Sequence, residues 1–140
     1  MTTAIDTNVL VALWDLDDTL NRQAQSALDK ALAQGNLVVP APVFAELLAF
    51  PKRTDGFLQA FFRETSIAVD WHLSENVWKV AGRAFGIYAA RRRRRLEPGP
   101  RRVLADFVIG AYADQNGFRL LTFDQGIYRT AFPNLKVMSS

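Results

Sequence analysis

Apolar residues along this chain come in short blocks of two kinds. Compact runs at Thr2–Ile5, Leu37–Val39, Ile67–Val69, Arg119–Thr122 and Leu135–Met138 have the length and the flanking residues of buried strands. Between them, apolar positions recur at three- and four-residue spacing, the pattern of helices with one buried face. Thr19 or Asn21 is placed to cap a helix running to Gln34, with Ala24, Ala27, Leu28, Ala31 and Leu32 inward and Gly35 as its stop. Pro42 suits the first turn of a helix over Val43–Phe50 that Pro51 ends. Phe57, Leu58, Phe61 and Phe62 form another stripe. A long helix opens at Ser74 and passes Val77, Val80, Ala81, Ala84, Phe85 and Tyr88 into an arginine run, broken by Glu97-Pro98-Gly99-Pro100. Val103–Asn116 is a further helix closed by Gly117, and a helical turn covers Gly126–Ala131. Val9–Trp14 fits a short helix or a strand extension equally well.

Strands alternating with helices imply βαβ units. The expected fold is therefore α/β, a three-layer α/β/α sandwich with a mostly parallel central sheet. The 140 residues suit one domain spanning 1–140 and are too few for two. At 49% apolar residues the chain is of the ordinary globular class. No apolar run reaches the roughly 18 residues of a membrane span. The N-terminus lacks the basic and apolar regions of a secretory signal. The absence of cysteine excludes disulfides and thiolate metal sites and is compatible with a reducing cytoplasm.

The chemistry announces itself as misplaced acids. Asp6, Glu46, Asp106 and Asp124 each lie in apolar sequence: Thr-Ala-Ile-Asp6, Phe-Ala-Glu46-Leu-Leu, Leu-Ala-Asp106-Phe-Val-Ile and Leu-Leu-Thr-Phe-Asp124. A carboxylate held against a core protonates or finds a cation. With no Cys and one His, a shared cation would have oxygen ligands only, which suits Mg²⁺ or Mn²⁺. In parallel α/β sheets ligands gather at the carboxyl ends of the strands, where Asp6 and Asp124 fall. Glu46 and Asp106, early in their helices, can point back to that edge. On the Asp106 face, Gly110 and Ala113 leave space for a bulky ligand. Asp114 reads as a surface acid, His72 as packing or surface, and Trp14, Trp71 and Trp78 as core.

The net charge of +3 hides an asymmetry. Residues 1–70 carry five Lys/Arg against nine Asp/Glu, and residues 71–140 carry twelve against five. Seven of those twelve are Arg91, Arg92, Arg93, Arg94, Arg95, Arg101 and Arg102. A solvated helix end is one reading of the run, and nuclear targeting another. Contact with RNA phosphates or with an acidic protein partner fits its position beside the Asp106 helix.

Ile-Asp6-Thr7-Asn8-Val-Leu resembles the opening motif of the PIN-domain nucleases. Glu46, Asp106 and Asp124, the last in a Thr-x-Asp setting with Thr122, resemble that family's second, third and fourth acids, in family order and over essentially the whole chain. The size is similar to that of VapC-type toxins of toxin–antitoxin pairs. The resemblance implies a Mg²⁺- or Mn²⁺-dependent endoribonuclease, cytoplasmic and inhibited by a small antitoxin, with a homodimer expected. Asp6, Asp106 and Asp124 would be the main metal ligands, and Glu46 would hold a metal or its waters. Asn8 and Thr122 would orient the carboxylates by hydrogen bonds. Without a His base or a Ser or Cys nucleophile, the attacking group is metal-activated water.

Two other readings compete. One is a catalytically silent RNA- or partner-binding module on the same fold. The other rests on Asp15-Leu-Asp17-Asp18-Thr19-Leu, which matches the nucleophile loop of haloacid-dehalogenase-like phosphatases, with Asp15 as nucleophile and Asp17 as acid/base. That reading requires Val9–Trp14 to be a strand. Otherwise the stretch is a solvated acidic loop before a helix.

Overall fold

The computed structural model describes residues 1–95 and 102–139. Its strands are β1 (Thr2–Ile5), β2 (Asn36–Pro40), β3 (Ala68–Asp70), β4 (Arg119–Leu121) and β5 (Val137–Met138). They are interleaved with α1 (Thr7–Trp14), α2 (Asn21–Gln34), α3 (Ala41–Leu47), α4 (Asp55–Thr65), α5 (Glu75–Arg95), α6 (Leu104–Asn116) and α7 (Gln125–Ala131). The strands form one sheet in the order β3-β2-β1-β4-β5, with every neighbouring pair parallel. Helices cover the sheet in an α/β/α sandwich, as the alternation of blocks implies. No described helix is long and apolar enough to cross a membrane.

The apolar runs are apolar because their strands are covered on both faces. Thr3, Ala4 and Ile5 of β1, Val39 of β2, and Leu120 and Leu121 of β4 are fully buried. Successive connections lead from β1 through β2 to β3, and the chain then returns to the opposite side of β1 as β4. The topology therefore reverses between β1 and β4. A crevice opens outside the carboxyl ends of strands at such a reversal, here at Asp6 and Thr122.

Several expectations change in three dimensions. Val9–Trp14 is helical, within α1, because Asp6 caps it through Thr7 N–H. Neither Thr19 nor Asn21 caps α2. Leu20 occupies that position, and Asn21 instead donates to the carbonyls of Ala12 and Leu13 at 2.9 and 3.0 Å, closing the end of α1. Leu32 is half exposed on α2. Helix α3 starts two residues before Val43 and stops at Leu47 instead of Phe50. Phe50 precedes Pro51, which disfavours helical backbone there, and the chain leaves in three-residue turns from Ala49 to Glu46 and Phe50 to Leu47. Trp71 and Trp78 are about half exposed, so they are not core. Trp71 lies edge-on to Phe44. Trp14 is part-buried, edge-on to Phe57 and Phe61 with the Arg53 guanidinium over its ring.

Gly35 is required where α2 turns into β2. A Cβ there would lie 1.8 Å from the Met1 carbonyl oxygen, and that oxygen accepts the Asn36 N–H that starts the β1–β2 pairing.

Candidate active site

Asp6 stands at the end of β1, held there because its N–H continues the ladder to the Leu121 carbonyl (2.9 Å). Its Oδ1 accepts the Thr7 N–H at 2.8 Å. Its Oδ2 accepts the Thr122 hydroxyl at 2.8 Å, the Tyr128 hydroxyl at 3.0 Å and the Asn8 amide at 3.4 Å. The residue is only 5% exposed. Burial raises its pKa from 3.8 to about 6, outweighing the hydrogen bonds that favour the ionised form, and the Asp106 charge adds to the rise.

Thr122 ties the sheet edge together. Besides bonding Asp6, its oxygen accepts the Asp124 N–H at 3.0 Å and the Asn8 amide at 3.3 Å. The Asn8 side-chain Oδ1 accepts the Phe123 N–H at 3.1 Å. Asn8 and Thr122 thus lock the end of β1 to the end of β4 and fix the Asp6 carboxylate between them.

Glu46 reaches the same place from α3, where its Oε1 accepts the Thr7 hydroxyl at 2.7 Å. Its pKa is raised by burial, with a contribution from Asp106. Asp106 lies in the first turn of α6, and its Oδ2 accepts the Val103 N–H at 3.4 Å. Burial raises its pKa too, the Asp124 charge adds to the rise, and the Arg102 charge opposes it. Asp124 sits just before α7, with both carboxylate oxygens bonded by the Arg102 guanidinium. All four acids, with Thr7, Asn8, Asp18, Phe50 and Phe123, line one cleft of about 340 Å³.

The donor set suits a hard divalent cation, since every side chain offered is an oxygen ligand and the acids raise one another's pKa. As they stand, no three His, Asp or Glu side chains among the described residues are grouped tightly enough to cage an ion. Asp124, the acid opposite Asp106, is engaged by Arg102.

The space expected above Gly110 does not exist. A Cβ at Gly110 would lie 2.3 Å from the Phe132 ring and 3.0 Å from Tyr128, and Ala113 is fully buried. Glycine there admits the rings of Phe132 and of Tyr128, whose hydroxyl reaches Asp6. Tyr128 was not anticipated from the sequence, although it lies one helical turn after Asp124. Thr7 was within a recognised motif but without a role. His72 lines a separate groove with Trp71 and Trp78.

Of the basic residues, Arg91 to Arg95 end α5 and Arg101 lies outside the described residues. Arg91 and Arg102 line a second cavity of about 540 Å³ with Tyr88, Ile127 and Thr130. Arg102 reaches an acid of the cleft through its guanidinium. Asp15 and Asp17 follow a helix and belong to an exposed turn in which Asp15 accepts the Asp17 N–H. The strand that a phosphatase nucleophile loop needs is absent at this position, which overturns that reading.

Residues 3–133 match the model of the PIN domain family. The chain belongs to the PIN-domain family. This PIN domain is also similar to three solved structures. FitAcB from Neisseria gonorrhoeae is 19% identical, with a TM-score of 0.65 and 98% of this chain and 96% of that one covered. VapBC-1 from nontypeable Haemophilus influenzae is 16% identical, with a TM-score of 0.65 and 99% and 97% covered. Mycobacterium tuberculosis VapC20, described as a sarcin-ricin loop cleaving toxin, is 17% identical, with a TM-score of 0.60 and 96% and 98% covered. At these identities the likeness speaks for the PIN fold. Comparison with curated protein sequences gives no match.

Proposed function

We propose that this PIN domain is a Mg²⁺- or Mn²⁺-dependent endoribonuclease and the toxin half of a toxin–antitoxin pair. The observation that carries the reading is the convergence of Asp6, Glu46, Asp106 and Asp124 on one cleft at the topological reversal, with Asp6 buried and its pKa raised. Asp6, Asp106 and Asp124 hold the metal, and Glu46 holds a metal or its waters. When bound, the cation lowers the pKa of a water and offsets charge on the scissile phosphate.

The chain's own groups do the positioning. Thr122, Tyr128 and Asn8 hold the Asp6 carboxylate, and Thr7 holds Glu46, so little reorganisation is left for the reaction. The basic end of α5 and Arg102 supply positive potential for a polyanion beside an otherwise acidic cleft. Similar solved structures include complexes named VapBC and FitAB, which supports a small antitoxin as partner. A homodimer, a single domain over 1–140 and a cytoplasmic site of action complete the proposal.

The test is RNA cleavage by the purified protein. Cleavage should need Mg²⁺ or Mn²⁺, stop with EDTA, and leave 5′-phosphate and 3′-hydroxyl ends. Cyclic 2′,3′-phosphate products would show attack by the 2′-hydroxyl and overturn the mechanism.

A further inference from the structure

Arg102 occupies a place that sequence reasoning assigned to a metal. Its guanidinium bonds both oxygens of Asp124, and the Arg102 backbone N–H donates to the Tyr88 hydroxyl at 2.8 Å, which anchors the backbone from α5. The next residue, Val103, donates its N–H to Asp106. Two consecutive residues thus engage two of the four acids, and one of them brings a full positive charge.

The pair is only partly withdrawn from water, with side chains 28% and 37% exposed for Arg102 and Asp124. Such a pair is weak enough to exchange. The guanidinium fork that matches a carboxylate matches a phosphate equally well. Arg102 also borders the cavity of about 540 Å³ that it shares with Arg91, so an alternative anion has room to approach.

We propose that Arg102 is a built-in competitor for the divalent cation at Asp124, displaced when a phosphate of bound nucleic acid takes its guanidinium. The inference rests on the metal-site reading given above. Without substrate, Arg102 neutralises Asp124 and leaves the cation fewer ligands. With substrate, Arg102 changes partner and Asp124 becomes free to bind the ion. Substrate and cation then favour each other, and the coupling is reciprocal by linkage.

The experiment titrates the intact protein with Mn²⁺ at constant ionic strength, following free Mn²⁺ by electron paramagnetic resonance. Wild type is compared with Arg102→Gln, and folding of each is checked by circular dichroism. Removing the competitor should tighten Mn²⁺ binding about fivefold, the scale of a part-exposed ion pair. Arg102→Lys, which keeps charge but loses the fork, should fall between the two. Adding a short oligodeoxynucleotide, which offers the phosphates, should raise the Mn²⁺ affinity of wild type and change that of Arg102→Gln much less. Equal Mn²⁺ affinity in wild type and Arg102→Gln overturns the proposal while leaving the metal site in place. An oligonucleotide effect undiminished in Arg102→Gln overturns the exchange. Absence of Mn²⁺ binding in both folded proteins removes the metal site itself, and the competitor with it.

Discussion

Asp6→Asn should make the metal-free protein more stable at neutral pH, although it removes a residue central to the proposed chemistry. Asp6 titrates at about 6 in the fold, against an ordinary 3.8, because it is buried. Below 3.8 both folded and unfolded chains carry the proton and the site costs nothing. As pH rises through this window the unfolded chain loses the proton first, so the fold holds more protons and stability falls. Above about 6 the full cost is present, about 3 kcal/mol from the difference between the two values. An asparagine carries no charge and escapes that cost. Its amide can still accept the Thr7 N–H, and the Thr122 and Tyr128 hydroxyls can rotate to accept from it. Losing one of these bonds would cost about 1 kcal/mol, leaving a net gain of about 2 kcal/mol. Urea unfolding in EDTA measures the difference between variant and wild type. That difference should grow by about 2 kcal/mol in favour of Asp6→Asn between about pH 4.5 and about pH 7.5. A difference that stays flat or shrinks over that range would refute the claim that burial governs this carboxylate.

Other perturbations probe the surrounding frame. Tyr128→Phe removes one hydroxyl from Asp6, so stability should fall by about 1 kcal/mol in urea unfolding and catalytic turnover should drop with little change in KM. Gly110→Ala drives a Cβ into the buried Phe132 ring and should cost about 1–3 kcal/mol by the same measurement. Arg93→Gln with Arg94→Gln, on the exposed end of α5, should flatten the log–log salt dependence of single-stranded RNA binding by about 1.4, at about 0.7 per phosphate contact. An unchanged slope would remove those two residues from the RNA path.

The sheet was legible because central parallel strands are buried on both faces and therefore carry compact apolar runs, as at Leu37–Val39 and Leu120–Leu121. The four acids were legible for the same reason, since a carboxylate is conspicuous in sequence that otherwise contains core. What escaped depends on contacts between residues far apart in the chain. Tyr128 meets Asp6 across 122 residues, and nothing near Tyr128 marks it as different from a core aromatic. The filling of the space over Gly110 by Phe132 is likewise a matter of how α7 packs on α6. Arg102 was conspicuous only as part of a charge run, and its engagement with Asp124 follows from the placement of α6 and α7. Helix ends moved where a local rule met a tertiary one. Asn21 has the chemistry of a cap, but the open carbonyls of α1 lie within its reach.

The central claim is that Asp6, Glu46, Asp106 and Asp124 act as one cation site. Crystals soaked in Mn²⁺ and measured at an energy where manganese scatters anomalously test it most directly. An anomalous peak is expected in the acidic cleft within bonding distance of Asp6 and Asp106, about 2.0–2.3 Å for oxygen on a divalent ion. A soaked crystal with manganese bound elsewhere and none in that cleft would contradict it.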